Sequence, residues 1–138
     1  MDNIKSIVEH ALDTLEITEG ASHSEIKIDD NGNIKIIEIG GRMGGDCIGS
    51  DLVYYSTGID FVKAVIDVAC GKAPNLKPDA KPQPAKVVFI LSNEDRAEFE
   101  RIEAEEPEKI LQVVDRQYEL IGKVTDSSNR AGCYILKN

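Results

Sequence analysis

Glu25, Glu38 and Arg42 are the side chains of this sequence whose types and spacing could do chemistry together. Asp30-Asn31-Gly32-Asn33 separates two alternating runs, and Asn-Gly is a strong hairpin signal because both central turn positions favour positive φ. A two- or a four-residue loop gives the same register: Asp29 opposite Ile34, Lys27 opposite Ile36 and Glu25 opposite Glu38. Directly opposed residues point to the same face. Ser24, Ile26, Ile28, Ile37 and Ile39 then form an apolar face, while Glu25 and Glu38 lie side by side on the other, about 5 Å apart at Cβ. Carboxylates that close repel, so they either share a proton or hold a cation between them, and a hard divalent ion such as Mg2+ suits oxygen donors. The competing reading is a solvated strand face on which the two glutamates splay apart.

The residues after Glu38 bear on that choice. Gly40-Gly41-Arg42-Met43-Gly44-Gly45-Asp46 contains four glycines, which let backbone N–H groups come close to a ligand and take up φ values that other residues resist. Arg42, four residues past Glu38, can hold a phosphate or carboxylate by paired hydrogen bonds. The alternatives are an irregular glycine turn and an Arg42–Glu38 salt bridge with no ligand. His23 shares the carboxylate face and either supports the site or is a satisfied structural histidine; His10 falls on the polar side of a helix and needs no function.

The elements that position these residues follow from the patterning. Ile4, Ile7, Val8, Ala11, Leu12 and Leu15 recur at helical spacing through residues 2–15, and this amphipathic helix can lie on the apolar face of the hairpin. A chain that starts almost directly on a helix suggests a larger protein cut or split at this point. Residues 48–56 read as a short helix broken at Thr57-Gly58, and a second helix runs from an Asp60 N-cap to a stop at Gly71. Residues 72–85 hold four of the five prolines and form a linker or an extended wrap. Lys86–Leu91 reads as a buried strand, and Ser92-x-x-Asp95 as a capping box that opens an acidic helix ending before Pro107. Ile110–Val114, Glu119–Thr125 and Ala131–Leu136 read as strands, and the glutamates from Glu98 to Glu108 as a solvated helix face.

A chain of 138 residues suits one domain or two small ones and can bury a core without staples. Its net charge of -9, from 25 acidic and 16 basic residues, opposes binding to nucleic acid or anionic membrane through bulk charge. No apolar run has the length of a transmembrane helix, and the N-terminus lacks the order of a signal peptide. The expectation is a soluble, cytoplasmic protein. Cys47, Cys70 and Cys133 are widely spaced and lack a CxxC pair, so they read as reduced, buried thiols rather than zinc ligands or a disulfide framework. No histidine lies close to Cys47 in sequence to activate it, which argues against a nucleophilic role.

The stretch GASHSEIKIDDNGNIKIIEIGGRMGGDCIGSDLVYYSTGIDFVKAVIDVACGKAP resembles the C-terminal part of an ATP-grasp ligase. In that family a glutamate on one strand and an E-x-N-x-R segment on the next hold the Mg2+ ions of MgATP, and a glycine-bearing turn and a helix follow. By this resemblance Glu25 and Glu38 are metal ligands, with Mg2+ or Mn2+ as the ion, and Arg42 contacts phosphate or the acyl-phosphate intermediate. Asp46 falls where some biotin-carboxylase-like relatives carry an acidic catalytic residue. The family's asparagine position is Gly40 here. Residues 86–138, with their Arg130-Ala131-Gly132 turn, are similar to the small β-rich unit that ends carbamoyl-phosphate-synthase-like and amino-acid-ligase-like members.

The resemblance implies an α+β fold: an antiparallel hairpin packed by helices, the C-terminal lobe of an ATP-grasp fold, followed by a small β-rich unit. The implied division is residues 1–73, a linker at 74–85, and 86–138. It also implies ATP and a carboxylate as substrates of the full-length enzyme. The family's N-terminal lobes carry the phosphate-binding lysine, the glycine-rich lid and the adenine site. They would come from missing sequence or a partner chain, and the face they leave could drive self-association. A chain inactive by itself is one expectation; a non-catalytic binding or assembly module that kept the hairpin is the other.

Overall fold

The computed structural model describes residues 2–138. Helix α1 spans Asp2–Thr14, with Ile4, Ile7, Val8, Ala11 and Leu12 half-buried along one side. It ends where the Thr14 hydroxyl donates back to the His10 carbonyl at 2.8 Å. Strands β1 (His23–Ile28) and β2 (Ile34–Gly40) form the antiparallel hairpin.

The turn departs from the expected register in an instructive way. The Asp29 carboxylate accepts the Asn31 and Asn33 backbone N–H groups, both at 2.9 Å, and the Asn33 side-chain amide at 2.8 Å. These bonds, that from the Asn33 side chain foremost, hold the Asp29 carboxyl below the usual carboxylate range. The Asp29 N–H also closes on the Asn33 carbonyl at 3.0 Å, so Asp29 belongs to the turn and Ile28, not Asp29, faces Ile34. Lys27 faces Lys35 and Ile26 faces Ile36. A bulge next to the Glu25/Ile26 step then absorbs one extra residue of β2, Ile37, and Glu25 faces Glu38 as expected.

The bulge settles a conflict in the alternation of β2. In a regular strand Ile36 and Glu38 would share a face. With Ile37 left over, Ile34, Ile36 and Ile39 pair with Ile28, Ile26 and Ser24 on one face, while Lys35, Glu38 and Gly40 pair with Lys27, Glu25 and His23 on the other. Ile37, expected on the apolar face, is 62 % exposed. Helix α1 covers the apolar face only in part, because Ile28 and Ile36 remain exposed.

After the glycine turn, a π-helical turn at Ile48–Leu52 runs into α2, Val53–Thr57. Gly58 ends it at φ 75°, and a Cβ there would lie 2.1 Å from the Ala80 carbonyl oxygen. Helix α3, Phe61–Ala69, starts on Asp60, whose carboxylate accepts the Lys63 N–H at 2.8 Å. The proline-rich stretch is an extended strap held on α2: the Asp79 N–H donates to the Gly58 carbonyl and the Gln83 N–H to the Tyr55 carbonyl, each at 2.8 Å.

Strands β3 (Ala85–Phe89), β4 (Ile110–Arg116) and β5 (Gly132–Lys137) form an antiparallel sheet in the order β3-β5-β4. Helix α4, Asn93–Glu105, has the expected capping box: Ser92 Oγ accepts the Asp95 N–H at 3.1 Å, and the Asp95 carboxylate accepts the Ser92 N–H at 2.9 Å. Most of its exposed glutamates are paired: Arg96 takes Glu100, Arg101 takes Glu98 and Glu105 together with Glu106 just past the helix, and Arg116 takes Glu103. Residues 119–125, expected as a strand, instead follow a 3-10 turn at Tyr118–Leu120 and run on without strand pairing.

The core lies between α4 and this sheet. Ile90, Phe99, Ile102, Ala131, Tyr134 and Leu136 are buried together, and the Phe99 and Tyr134 rings meet at 4.6 Å between centroids. The buried apolar residues on the hairpin side are Ala21 and Ala64. Among the described residues no helix is long and apolar enough to cross a membrane.

Two outcomes follow. Phe99→Ala lowers the stability read by urea unfolding by about 3–5 kcal/mol, the range for emptying a core aromatic site. The Asp95 carboxyl is held below its usual range by the Leu91 N–H first, then by the Ser92 hydroxyl and N–H, against an opposing burial penalty. A depressed native value stabilises the fold above the unfolded aspartate value and loses that contribution as the pH falls through the native one. The stability deficit of Asp95→Asn is therefore full near neutral pH and shrinks below about pH 4.

Candidate functional site

The hairpin presents its charged face as a row of opposed pairs: His23 with Gly40, Glu25 with Glu38, Lys27 with Lys35. Both glutamate side chains are 56 % exposed. Arg42 follows in the glycine turn, with Nη2 3.8 Å from Glu38 Oε1 and Nη1 donating to the Met43 carbonyl at 2.8 Å. His23 Nε2 lies 3.7 Å from Glu25 Oε1. The structure thus brings Glu25, Glu38, Arg42 and His23 together on one open rim. Arg42 rests on Glu38, the ligand-free alternative raised above, but an exposed pair at that distance is weak and readily exchanged.

The donor chemistry of this rim fits a hard cation in part. Opposed carboxylates offer hard oxygen ligands, yet Mg2+ takes six and Ca2+ up to eight. Among the described residues no group of three or more His, Cys, Asp or Glu could hold a metal. Remaining ligands would have to be phosphate oxygens and water.

Gly44 in the turn and Gly49 after it are required by close packing. A Cβ at Gly44 would sit 2.8 Å from His23 Nδ1 and 2.9 Å from Ile48 Cγ2, so His23 is a structural lid on the turn as well as a neighbour of Glu25. A Cβ at Gly49 would sit 2.7 Å from Met43 Cβ and 3.1 Å from the Gly44 carbonyl oxygen. Gly45 faces open space. At Gly40 a Cβ would make ordinary contact with Arg42 Cγ at 3.5 Å.

Asp46 leaves the glutamate rim for the sheet. Its carboxylate accepts two bonds from Arg130, at 2.6 Å from Nη1 and 3.3 Å from Nη2, and the Arg130 guanidinium also lies 3.9 Å over the Phe89 ring. Beside it, Cys47 Sγ is 3.9 Å from Cys133 Sγ on β5. Asp46 and Cys47 are both left-handed, at φ 51° and 63°, so the chain turns sharply to reach these partners. Cys70 is exposed rather than buried. The partnerships of Asp46 with Arg130 and of Cys47 with Cys133 escaped sequence reasoning, being 84 and 86 residues apart. Lone residues at such separation carry no local signal.

The turn's packing is testable by urea unfolding. Gly49→Ala lowers stability by about 1–3 kcal/mol through overpacking, whereas Gly45→Ala stays within about 0.5 kcal/mol of the parent.

No protein-family model matches the chain, and no curated protein matches it. Among solved structures, an L-amino acid ligase from Bacillus licheniformis aligns with 98% of this chain at a TM-score of 0.62 and 20% identity. The chain spans 35% of that protein's length. Hairpin, helices and small antiparallel sheet together thus share the fold of one section of that L-amino acid ligase.

Proposed function

We propose that this chain is the section of an ATP-dependent carboxylate ligase that lends acidic and guanidinium side chains to phosphoryl transfer. The observation supporting this most is Glu25 directly opposite Glu38, with Arg42 resting on Glu38, in a fold shared with part of an L-amino acid ligase. In the reaction class, a substrate carboxylate attacks the γ-phosphorus of ATP to give an acyl phosphate and ADP. An amine then attacks the acyl carbon and expels phosphate.

Glu25 and Glu38 are the residues that would hold Mg2+ or Mn2+, which when bound neutralises charge on the transferred phosphoryl group. Arg42 exchanges its single contact with Glu38 for the oxygens of the transferred group, which its planar fork can grip in pairs. Asp46 is committed to Arg130, and we assign it to anchoring the glycine turn in place of the catalytic role implied by the resemblance. Nucleotide and acceptor would be delivered by the N-terminal lobes, in further sequence or a partner chain.

A second reading, a binding or assembly module without catalysis, is favoured by one observation: Gly40 stands where the family's asparagine ligand would be. It lies on the carboxylate face, paired with His23.

The chain alone, given MgATP and a panel of amino acids, releases no phosphate above buffer; robust turnover would contradict dependence on other lobes. Mn2+ titration separates the two readings. Glu38→Gln weakens binding by at least about tenfold if the rim is a metal site, and Gly40→Asn, whose Cβ meets only the Arg42 side chain at ordinary contact distance, strengthens it. Affinity unchanged in both variants supports the assembly module.

A further inference from the structure

The thiols of Cys47 and Cys133 meet where the glycine turn touches the sheet, at 3.9 Å between sulfurs. They line a crevice of about 230 Å³ with Asp46, Phe89, Asp115 and Arg130. Neither is fully buried. A disulfide bond is ~2.05 Å long, so closure asks the two sulfurs to approach by about 2 Å. The movable partner is Cys47, a left-handed loop residue, since Cys133 is held near the start of β5, the central strand of the sheet.

We propose that Cys47 and Cys133 form a dithiol modification site that reacts with low-molecular-weight disulfides and closes to a covalent clamp between glycine turn and sheet. The inference is independent of the ligase reading, because no residue of the glutamate rim takes part. The two thiols are not equivalent. Burial first, then the neighbouring Cys133 and the Asp51 and Asp46 carboxylates, together push the Cys47 thiol up to about 12. Cys133 is also raised, by burial and by the Asp115 and Asp51 carboxylates, while the S–H of Cys47 and the charge of Arg130 oppose that shift. Cys133 shares the crevice wall with the Arg130 guanidinium, a cation that favours a thiolate, and is assigned as the attacking sulfur.

The Cys133 thiolate attacks one sulfur of the small disulfide RSSR, forming Cys133–S–SR and expelling RS−. That leaving thiolate takes the proton of Cys47. The Cys47 thiolate then attacks Cys133 Sγ, forms the Cys47–Cys133 bond and expels the second RS−, which is protonated by solvent. Two protein thiols lose two electrons in all, and one RSSR becomes two RSH.

The test uses the full chain with Cys70→Ser, which removes the exposed third thiol, and oxidised glutathione under native conditions. Intact mass and tryptic mapping should show loss of both remaining thiols, a mass lower by two hydrogens, and a Cys47–Cys133 cross-link reversed by dithiothreitol. With Cys47→Ser added, the reaction should stop at a glutathione adduct on Cys133. With Cys133→Ser added instead, Cys47 should remain largely unmodified. Two results would overturn the proposal: a product carrying glutathione on both residues, or two unreacted thiols under conditions that fully modify Cys70 in the parent chain.

Discussion

One constraint governs the functional end of this molecule: the hairpin must keep its carboxylates on one face and its isoleucines on the other, although the alternation of β2 slips by one residue in the middle. The Ile37 bulge meets it. Strand side chains alternate without exception, so a strand whose hydrophobic phase shifts must shed a residue or bury a charge. Shedding Ile37 leaves a rung of glutamates followed by a rung of lysines, with His23 beside Glu25 and Arg42 beside Glu38. Bulges often re-aim side chains beside functional sites, and here the bulge sits next to Glu38.

The second organising feature is the unequal distribution of the core. Phe99, Ile102, Tyr134 and their neighbours make a packed unit between α4 and the sheet. The hairpin side buries little and depends on that unit through specific attachments: Arg130 on Asp46, Tyr55 on the Gln112 side chain at 3.1 Å, and the strap of residues 79–83 on α2. A polar rim on a thinly packed hairpin can adjust to a ligand, while the sheet holds the turn that bears Arg42. Exposed isoleucines on the other side of the hairpin are consistent with a surface that further sequence or another chain covers.

Much of this was legible in the sequence. The Asp60 cap and the Ser92–Asp95 capping box rest on short-range rules and occur as expected. A turn does form at Asn31-Gly32, but of the two only Gly32 takes positive φ. Glu25 meets Glu38 as expected only because the bulge at Ile37 restores the register. The register near the turn was misread because Asp29 spends its carboxylate and its N–H on the turn itself, a competition between side chain and ladder that residue spacing does not reveal. The doubled Ile36-Ile37 was the visible sign that a bulge was needed. Residues 119–125 have strand composition, but Gln117 and Leu120 start a 3-10 turn there, so tertiary context overrode propensity. The pairings of Asp46 and Cys47 with residues near the C-terminus were beyond reach, since only the folded chain brings them together.

The central claim is that the opposed glutamates, not the chain's general acidity, form the cation site. The most direct measurement is a titration of the isotopically labelled protein with Mn2+, read as paramagnetic broadening of backbone amide signals. The account predicts that signals of residues 23–27 and 36–42 broaden first, at metal concentrations that leave the rest of the spectrum sharp. Broadening that begins on the acidic helix α4, with the hairpin signals untouched, would contradict it.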